Sequence, residues 1–306
     1  MYLQHFGLRE FPFSLTPDTE FFFRYGSHQE AHNVLLVALR TGEGFIKVTG
    51  EVGTGKTLLC RLLLKTLGDE FVTAYIPNPY LTPAALHMAL ADELGIAYAR
   101  NIGQPRLLKL INDRLIELNA TGKRVALLLD EAQTLPQNSM EALRLLTNLE
   151  TEKAKLLQVV LFGQPELDAR LAQPDLRQLR QRITFSHHLM PIDRQGFEGY
   201  IAHRLHIAGY QGAPLFNNRS FADLYRASRG IPRLINVLCH KALLAAYGRG
   251  ESRVLPAHVH MAALDTEDVL LHQPQNRLWR AIAGTLGVAA TLLASIGAVY
   301  MWGHAP

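Results

Sequence analysis

The segment EGFIKVTGEVGTGKTLLCRLLLKTL constrains the fold of this chain more than any other part of it. Phe45 to Thr49 has strand character, Gly50 to Thr57 follows the spacing Gly-x4-Gly-Lys-Thr, and an amphipathic helix begins at once. Phosphate binding requires that order. The loop Gly50, Glu51, Val52, Gly53, Thr54, Gly55 can curl its N–H groups round phosphate oxygens, and the following helix N-terminus adds partial positive charge. Lys56 then reaches the β- and γ-phosphates and Thr57 offers a hydroxyl to Mg²⁺, so ATP and Mg²⁺ are the implied ligands.

A phosphate loop of this kind works with an acidic strand end, and RVALLLDEAQ supplies one. Val125 to Leu129 is the unbroken apolar run expected of a central parallel strand buried on both faces. Asp130 and Glu131 fall at its C-terminal end, where open α/β sheets bind their ligands. Asp130 is placed to hold Mg²⁺ together with Thr57, and Glu131 to polarise a water that attacks the γ-phosphate. Between the two motifs, FVTAYIPNP reads as a strand, and TPAALHMALADELGI and QPRLLKLINDRLIEL read as helices. Past Glu131, Ser139 to Leu149 reads as a helix and KLLQVVLFGQPEL as a buried strand ending at Gln164. That succession predicts a phosphate-loop sheet with another element inserted between the two motif strands.

Ser27 and Glu30 have the spacing of a capping box opening the first long helix. The aromatic and proline-rich FGLREFPFSLTPD serves either as a wall beside the adenine or as core filler. Helical periodicity recurs at Asp193–Ala208, Asn218–Arg229, Pro232–Tyr247 and Pro256–Leu264, which predicts an all-helical second domain closing over the sheet. Two cysteines, Cys60 and Cys239, lie far apart and suit reduced thiols. Thirteen histidines include the pairs His187 and His188, His203 and His206, and His258 and His260, none accompanied by a carboxylate or thiolate set of metal-binding spacing. The net charge of +4 comes from dispersed Lys and Arg, and neither a zinc finger nor a basic arm is visible, so no nucleic acid is expected.

Taken together, FGLREFPFSLTPDTEFFF, GEVGTGKT, LDEAQ, FGQPEL, QRI and GIPRLIN resemble the AAA+ ATPases and, among them, the ExeA or general secretion pathway protein A family, in particular its mannose-sensitive haemagglutinin pilus branch. The resemblance covers nearly all of residues 1–270. It implies an α/β fold, a P-loop AAA+ three-layer αβα parallel sheet at 1–190 with a C-terminal helical lid at 191–270. It also implies catalytic roles beside Glu131. Gln164 takes the sensor-1 position, Arg182 the arginine finger that points into a neighbouring subunit, and Arg233 the sensor-2 position on the lid. Arg180 and Arg177 lie close enough to Arg182 to be alternatives for the finger. Implied partners are further copies of the chain in a ring and the inner-membrane proteins of a type IV pilus, of the mannose-sensitive haemagglutinin kind, or of a type II secretion apparatus.

The far end supplies an address. After a linker at 271–280, Ala281 to Trp302 is an uncharged apolar run whose helical length of about 33 Å matches a hydrocarbon core of about 30 Å. Arg277 and Arg280 precede it and Trp279, Tyr300 and Trp302 mark its edges. A single transmembrane helix at 281–302 is therefore expected, with the body in the cytoplasm and 303–306 as a short periplasmic tail. The N-terminus carries no cleavable export signal. The expected function is membrane-anchored ATP hydrolysis in support of pilus or secretion assembly. The alternatives are a DNA-linked ATPase of the transposition type and an ATP-gated anchor with little turnover.

Overall fold

The computed structural model describes residues 2–99, 101–150 and 155–270. Residues up to Ala262 form one compact unit, and Ala263 to Leu270 belong to a second. Among the described residues the sheet consists of β1 (Phe45–Thr49), β2 (Phe71–Ile76), β3 (Arg124–Leu129), β4 (Gln158–Gly163) and β5 (Ile183–His188). The strands lie in the order β2-β3-β4-β1-β5, with every pairing parallel. The helices of this unit are α1 (Tyr2–Phe6), α2 (Gly26–Thr41), α3 (Lys56–Thr66), α4 (Pro83–Glu93), α5 (Gln104–Ala120), α6 (Gln137–Leu146), α7 (Glu166–Leu171), α8 (Arg177–Arg182), α9 (Arg194–Ile207), α10 (Asn218–Ser228) and α11 (Pro232–Gly248), followed by α12 (Pro256–Leu264). Beyond it lies the short α13 (Glu267–Leu270).

The period of two along each strand sorts the apolar residues into two cores and so makes the three layers. Val125, Leu127 and Leu129 of β3 and Val159 and Leu161 of β4 join Leu86 and Leu90 of α4 and Leu107, Ile111 and Leu115 of α5 on one face. Their neighbours Ala126, Leu128, Val160 and Phe162 face the other way, against Leu35 and Leu39 of α2 and Leu59 and Leu63 of α3. Each fully buried Leu contributes about 1.5–3 kcal/mol relative to exposure. Register then assembles the site: Thr49 of β1 lies beside Gly163 of β4 and His188 of β5, so the chain leaves every inner strand on the same edge.

The inserted element is β4, which separates β1 from β3. β5 was not legible as a strand, because Ile183–His188 alternates between half-buried and exposed residues at the sheet edge and ends in Ser186, His187 and His188 rather than in an apolar run. The helix expected at Ser139–Leu149 starts earlier, after Pro136, and ends at Leu146, beyond which Leu156 N–H bonds Leu149 O at 3.0 Å and the chain turns back. The capping box is also corrected. α2 begins at Gly26, its cap residue Tyr25 makes no side-chain cap bond, and Ser27 inside the first turn spends its hydroxyl on Met190 N–H (3.1 Å) and His188 O (3.3 Å).

The helices after β5 lie where the helical periodicity places them, and side chains cap two of them. Asp193 caps α9 by accepting from Gly196 N–H at 2.7 Å, and Asn217 caps α10 by accepting from Ser220 N–H at 2.8 Å. Pro232 occupies the first turn of α11, where its missing N–H has no cost. The expected membrane span at 281–302, with its linker and tail, lies outside the described residues; among those described, no helix is long and apolar enough to cross a membrane.

Candidate functional site

At the carboxyl edge of the sheet a cleft of about 380 Å³ is lined by Gly53, Gly55, Lys56, Thr57, Glu131, Gln164 and Arg233, with Ser14 to Asp18 forming one wall. The loop between β1 and α3 needs its glycines. Gly53 and Gly55 have φ of +81° and +100°, and a Cβ on Gly53 would stand 2.6 Å from Arg233 Cβ. Lys56 is buried and its Nζ donates to Gly50 O at 2.7 Å and Glu51 O at 2.9 Å. Burial lowers its pKa, and the charges of Glu131 and Asp130 oppose that shift.

Asp130 and Glu131 separate into two roles at the end of β3. Asp130 is 3% exposed; its Oδ2 accepts from Thr57 Oγ1 at 2.7 Å and its Oδ1 from Glu131 N–H at 2.9 Å. Burial pushes its pKa up, and those two hydrogen bonds pull it back. Glu131 has φ of +51°, a left-handed conformation that costs a non-glycine residue about 1–2 kcal/mol. The turn carries its carboxylate out of the strand line and into the cleft, where Oε2 accepts from Gln133 Nε2 at 2.5 Å and Gln164 Nε2 at 3.0 Å. Gln133 is held in turn, since its Oε1 accepts from Gln164 N–H at 3.0 Å and Arg170 donates to its carbonyl.

The hard oxygen donors of Thr57 and Asp130, already in contact, fit a divalent cation, and the ammonium of Lys56, whose hydrogen bonds go to the loop carbonyls of Gly50 and Glu51, stands at the cleft where a phosphate could take it up. The sequence-predicted residues of the phosphate loop, the acidic strand end and Gln164 thus meet in one place. Arg233 joins them from the first turn of α11, where its N–H donates to Gly53 O at 3.1 Å and its exposed side chain lines the cleft. Arg182 lies elsewhere. At the end of α8 it donates to Arg144 O (3.1 Å) and Thr147 Oγ1 (3.0 Å) at the end of α6, while Arg177 and Arg180 are exposed on the same helix.

Sequence reasoning did not find Gln133, although it stands in LDEAQ, nor Arg204. Arg204 is 5% exposed and donates to Pro12 O (2.5 Å), Ser14 O (3.2 Å) and Tyr200 OH (3.2 Å), with its guanidinium 4.7 Å from the Phe21 ring centroid. It fixes the wall from behind, as Arg61 does through Pro17 O at 2.9 Å. The N-terminal stretch is divided in use: Phe6, Leu8 and Phe13 fill core, while Ser14 to Asp18 line the cleft. No group of three or more His, Cys, Asp or Glu among the described residues is placed to hold a metal ion by itself.

A phosphate loop, an acidic strand end and a polar strand-end residue on a β2-β3-β4-β1-β5 sheet make an AAA-type P-loop fold, and residues 39–171 match the AAA domain family. More particularly, the chain is similar to general secretion pathway protein A of Aeromonas hydrophila, 46% identical over 290 residues that make up 94% of this chain and 53% of that protein. It thus spans about half the length of that relative. Among solved structures it is similar to Cdc6p of Pyrobaculum aerophilum (TM-score 0.64, 19% identity, covering 86% of this chain and 74% of that one). It is also similar to the ORC2 protein of Aeropyrum pernix in its ADP form (0.62, 16%, 82% and 71%) and a Walker-type ATPase of Pyrococcus abyssi (0.59, 17%, 88% and 80%). At these identities the likeness is one of fold.

Proposed function

We propose that this chain is an ATP hydrolase in which residues 1–190 bind nucleotide and residues 191–270 act as its lid. The observation that carries the reading is the convergence of Lys56, Thr57, Asp130, Glu131, Gln164 and Arg233 on one cleft at the carboxyl edge of the sheet. Lys56 and the loop N–H groups hold the β- and γ-phosphates, and Arg233 draws the lid onto them. Thr57 and Asp130 would hold Mg²⁺, which when bound neutralises charge developing on the phosphates. Glu131 takes the proton of the attacking water; the amides of Gln133 and Gln164 orient its carboxylate, and Gln164 is the one that also reaches towards the γ-phosphate. Substituting Glu131→Gln keeps the shape and removes the base, so ATP binds and turnover falls by at least about 10²-fold. Unchanged turnover in that variant would overturn its role.

Hydrolysis serves assembly of a type II secretion apparatus or a type IV pilus of the mannose-sensitive haemagglutinin kind. The homology to general secretion pathway protein A supports the secretion side of that reading. The working form is a ring or partial ring of this chain in which Arg182 reaches the neighbouring nucleotide. The run at 281–302 anchors it in the inner membrane with the ATPase in the cytoplasm, beside membrane partners of the apparatus. Fractionation tests the anchor: the full chain stays with membranes through a high-salt wash, and complete release by salt would refute the span.

A further inference from the structure

The N-terminus of α2 is fastened to the site by a residue that the nucleotide chemistry above does not use. Ser27 bonds the segment leaving β5 through Met190 N–H and His188 O, and His187 Nε2 contacts Ser27 O at 3.1 Å. So anchored, the next residue, His28, brings its Nε2 to 2.7 Å from Thr54 O in the phosphate loop. A carbonyl only accepts, so Nε2 carries the hydrogen in either charge state of the ring. Burial holds this imidazole below its ordinary pKa, the Thr54 bond opposing and His187 reinforcing the shift.

The consequence lies across the peptide bond. Thr54 C=O and Gly55 N–H belong to one planar trans unit, in which the two groups point in opposite directions. With the carbonyl drawn outward to α2, the N–H is turned the other way, and Gly55 lines the cleft. Among the described residues that N–H has no hydrogen-bond partner, whereas Thr54 N–H is already committed to Glu51 O at 3.3 Å. Gly55, at φ +100°, is also the residue whose peptide is least restrained by its own side chain. His28 Nε2 would stand 3.5 Å from a Cβ at that position, so the ring covers the outer side of the turn as well.

We infer that His28 is a positioning residue for the phosphate cradle: its Nε2–H holds the Thr54–Gly55 peptide in the orientation that presents the Gly55 N–H to a phosphate oxygen of the bound nucleotide. This rests on the nucleotide-site reading and adds to it a residue from outside the motif. Since the amide serves ground state and transition state alike, its loss falls on binding rather than on the chemical step.

Two substitutions in the full chain separate the hydrogen bond from the packing. His28→Phe keeps a ring and loses the donor; His28→Gln loses the ring and keeps an N–H at similar reach. With Mg²⁺-ADP titrated calorimetrically and ATP turnover measured alongside, His28→Phe is expected to raise the ADP Kd and the ATP KM about tenfold while kcat stays within about twofold. His28→Gln is expected to restore both to within about threefold of the natural chain. Natural ADP affinity in the Phe variant overturns the inference, and so does a Gln variant as weak as Phe, or a loss accompanied by a lowered unfolding midpoint without nucleotide. If the natural chain itself fails to bind Mg²⁺-ADP, the nucleotide-site reading falls and this inference with it.

Discussion

Gly53 is where the phosphate loop and the start of α11 touch, and Gly53→Ala measures what that contact is worth. At φ +81° an alanine costs about 1–2 kcal/mol in backbone strain alone. The added Cβ would also meet Arg233 Cβ at 2.6 Å and Ile231 Cγ2 at 3.2 Å. Carbon atoms rest about 3.5–4.0 Å apart, so the first turn of α11 must retreat by about 1 Å. That retreat stretches the 3.1 Å bond from Arg233 N–H to Gly53 O beyond hydrogen-bond range, a further loss of about 1 kcal/mol. The sum is about 2–3 kcal/mol, a fall of several degrees in Tm for a unit of this size.

A matched control isolates the contact. Gly42, at φ +88° with nothing within 4 Å of where a Cβ would stand, bears the strain without the collision, so Gly42→Ala should lose only about 1–2 kcal/mol. Functionally the two diverge further. A displacement of about 1 Å in Arg233 is enough to lower ATP turnover by about 10²-fold in Gly53→Ala, while Gly42→Ala keeps natural turnover. Denaturant midpoints and steady-state phosphate release read both quantities. If Gly53→Ala matches Gly42→Ala in stability and in rate, the loop and α11 are not coupled through this contact.

Arg182→Ala should leave ADP binding intact and abolish the part of ATP turnover that rises with protein concentration, with recovery when it is mixed with Glu131→Gln subunits; recovery by Arg180→Ala or Arg177→Ala in its place would move the finger to that residue. Acidification should weaken the fold. His28, His32, His87, His203 and His240 all have pKa values lowered by burial, so on unfolding they take up protons that the native state refuses. Their contribution is fully present above the ordinary histidine value of about 6.5 and is lost as pH falls from there towards the lower native values. The urea midpoint therefore drops between pH 7 and pH 5, and a flat or rising midpoint over that range contradicts the burial of these rings.

What the chain determined locally was legible locally. The glycine spacing of the phosphate loop, the five-residue apolar run before Asp130 and the polar Gln164 after β4 are contiguous patterns, and each met its expected place because a strand end and the next loop cannot be far apart. The proline start of α11 was readable for the same reason. Tertiary structure decided everything that depends on residues brought together from distant positions. Ser27 has the spacing of a helix cap, but the end of β5 offered its hydroxyl other partners more than 160 positions away. β5 itself gains its place from pairing with β1 at the sheet edge, an arrangement that the brief Ile-Thr-Phe-Ser alternation in ITFSHH does not specify. Gln133 bridging Glu131 and Gln164, Arg204 gathering the carbonyls of Pro12 and Ser14, and His28 reaching Thr54 are single polar side chains with no periodicity around them. A hydrophobic pattern repeats and so can be read in advance, whereas a hydrogen bond between two distant groups exists only once the sheet has set the distance between them.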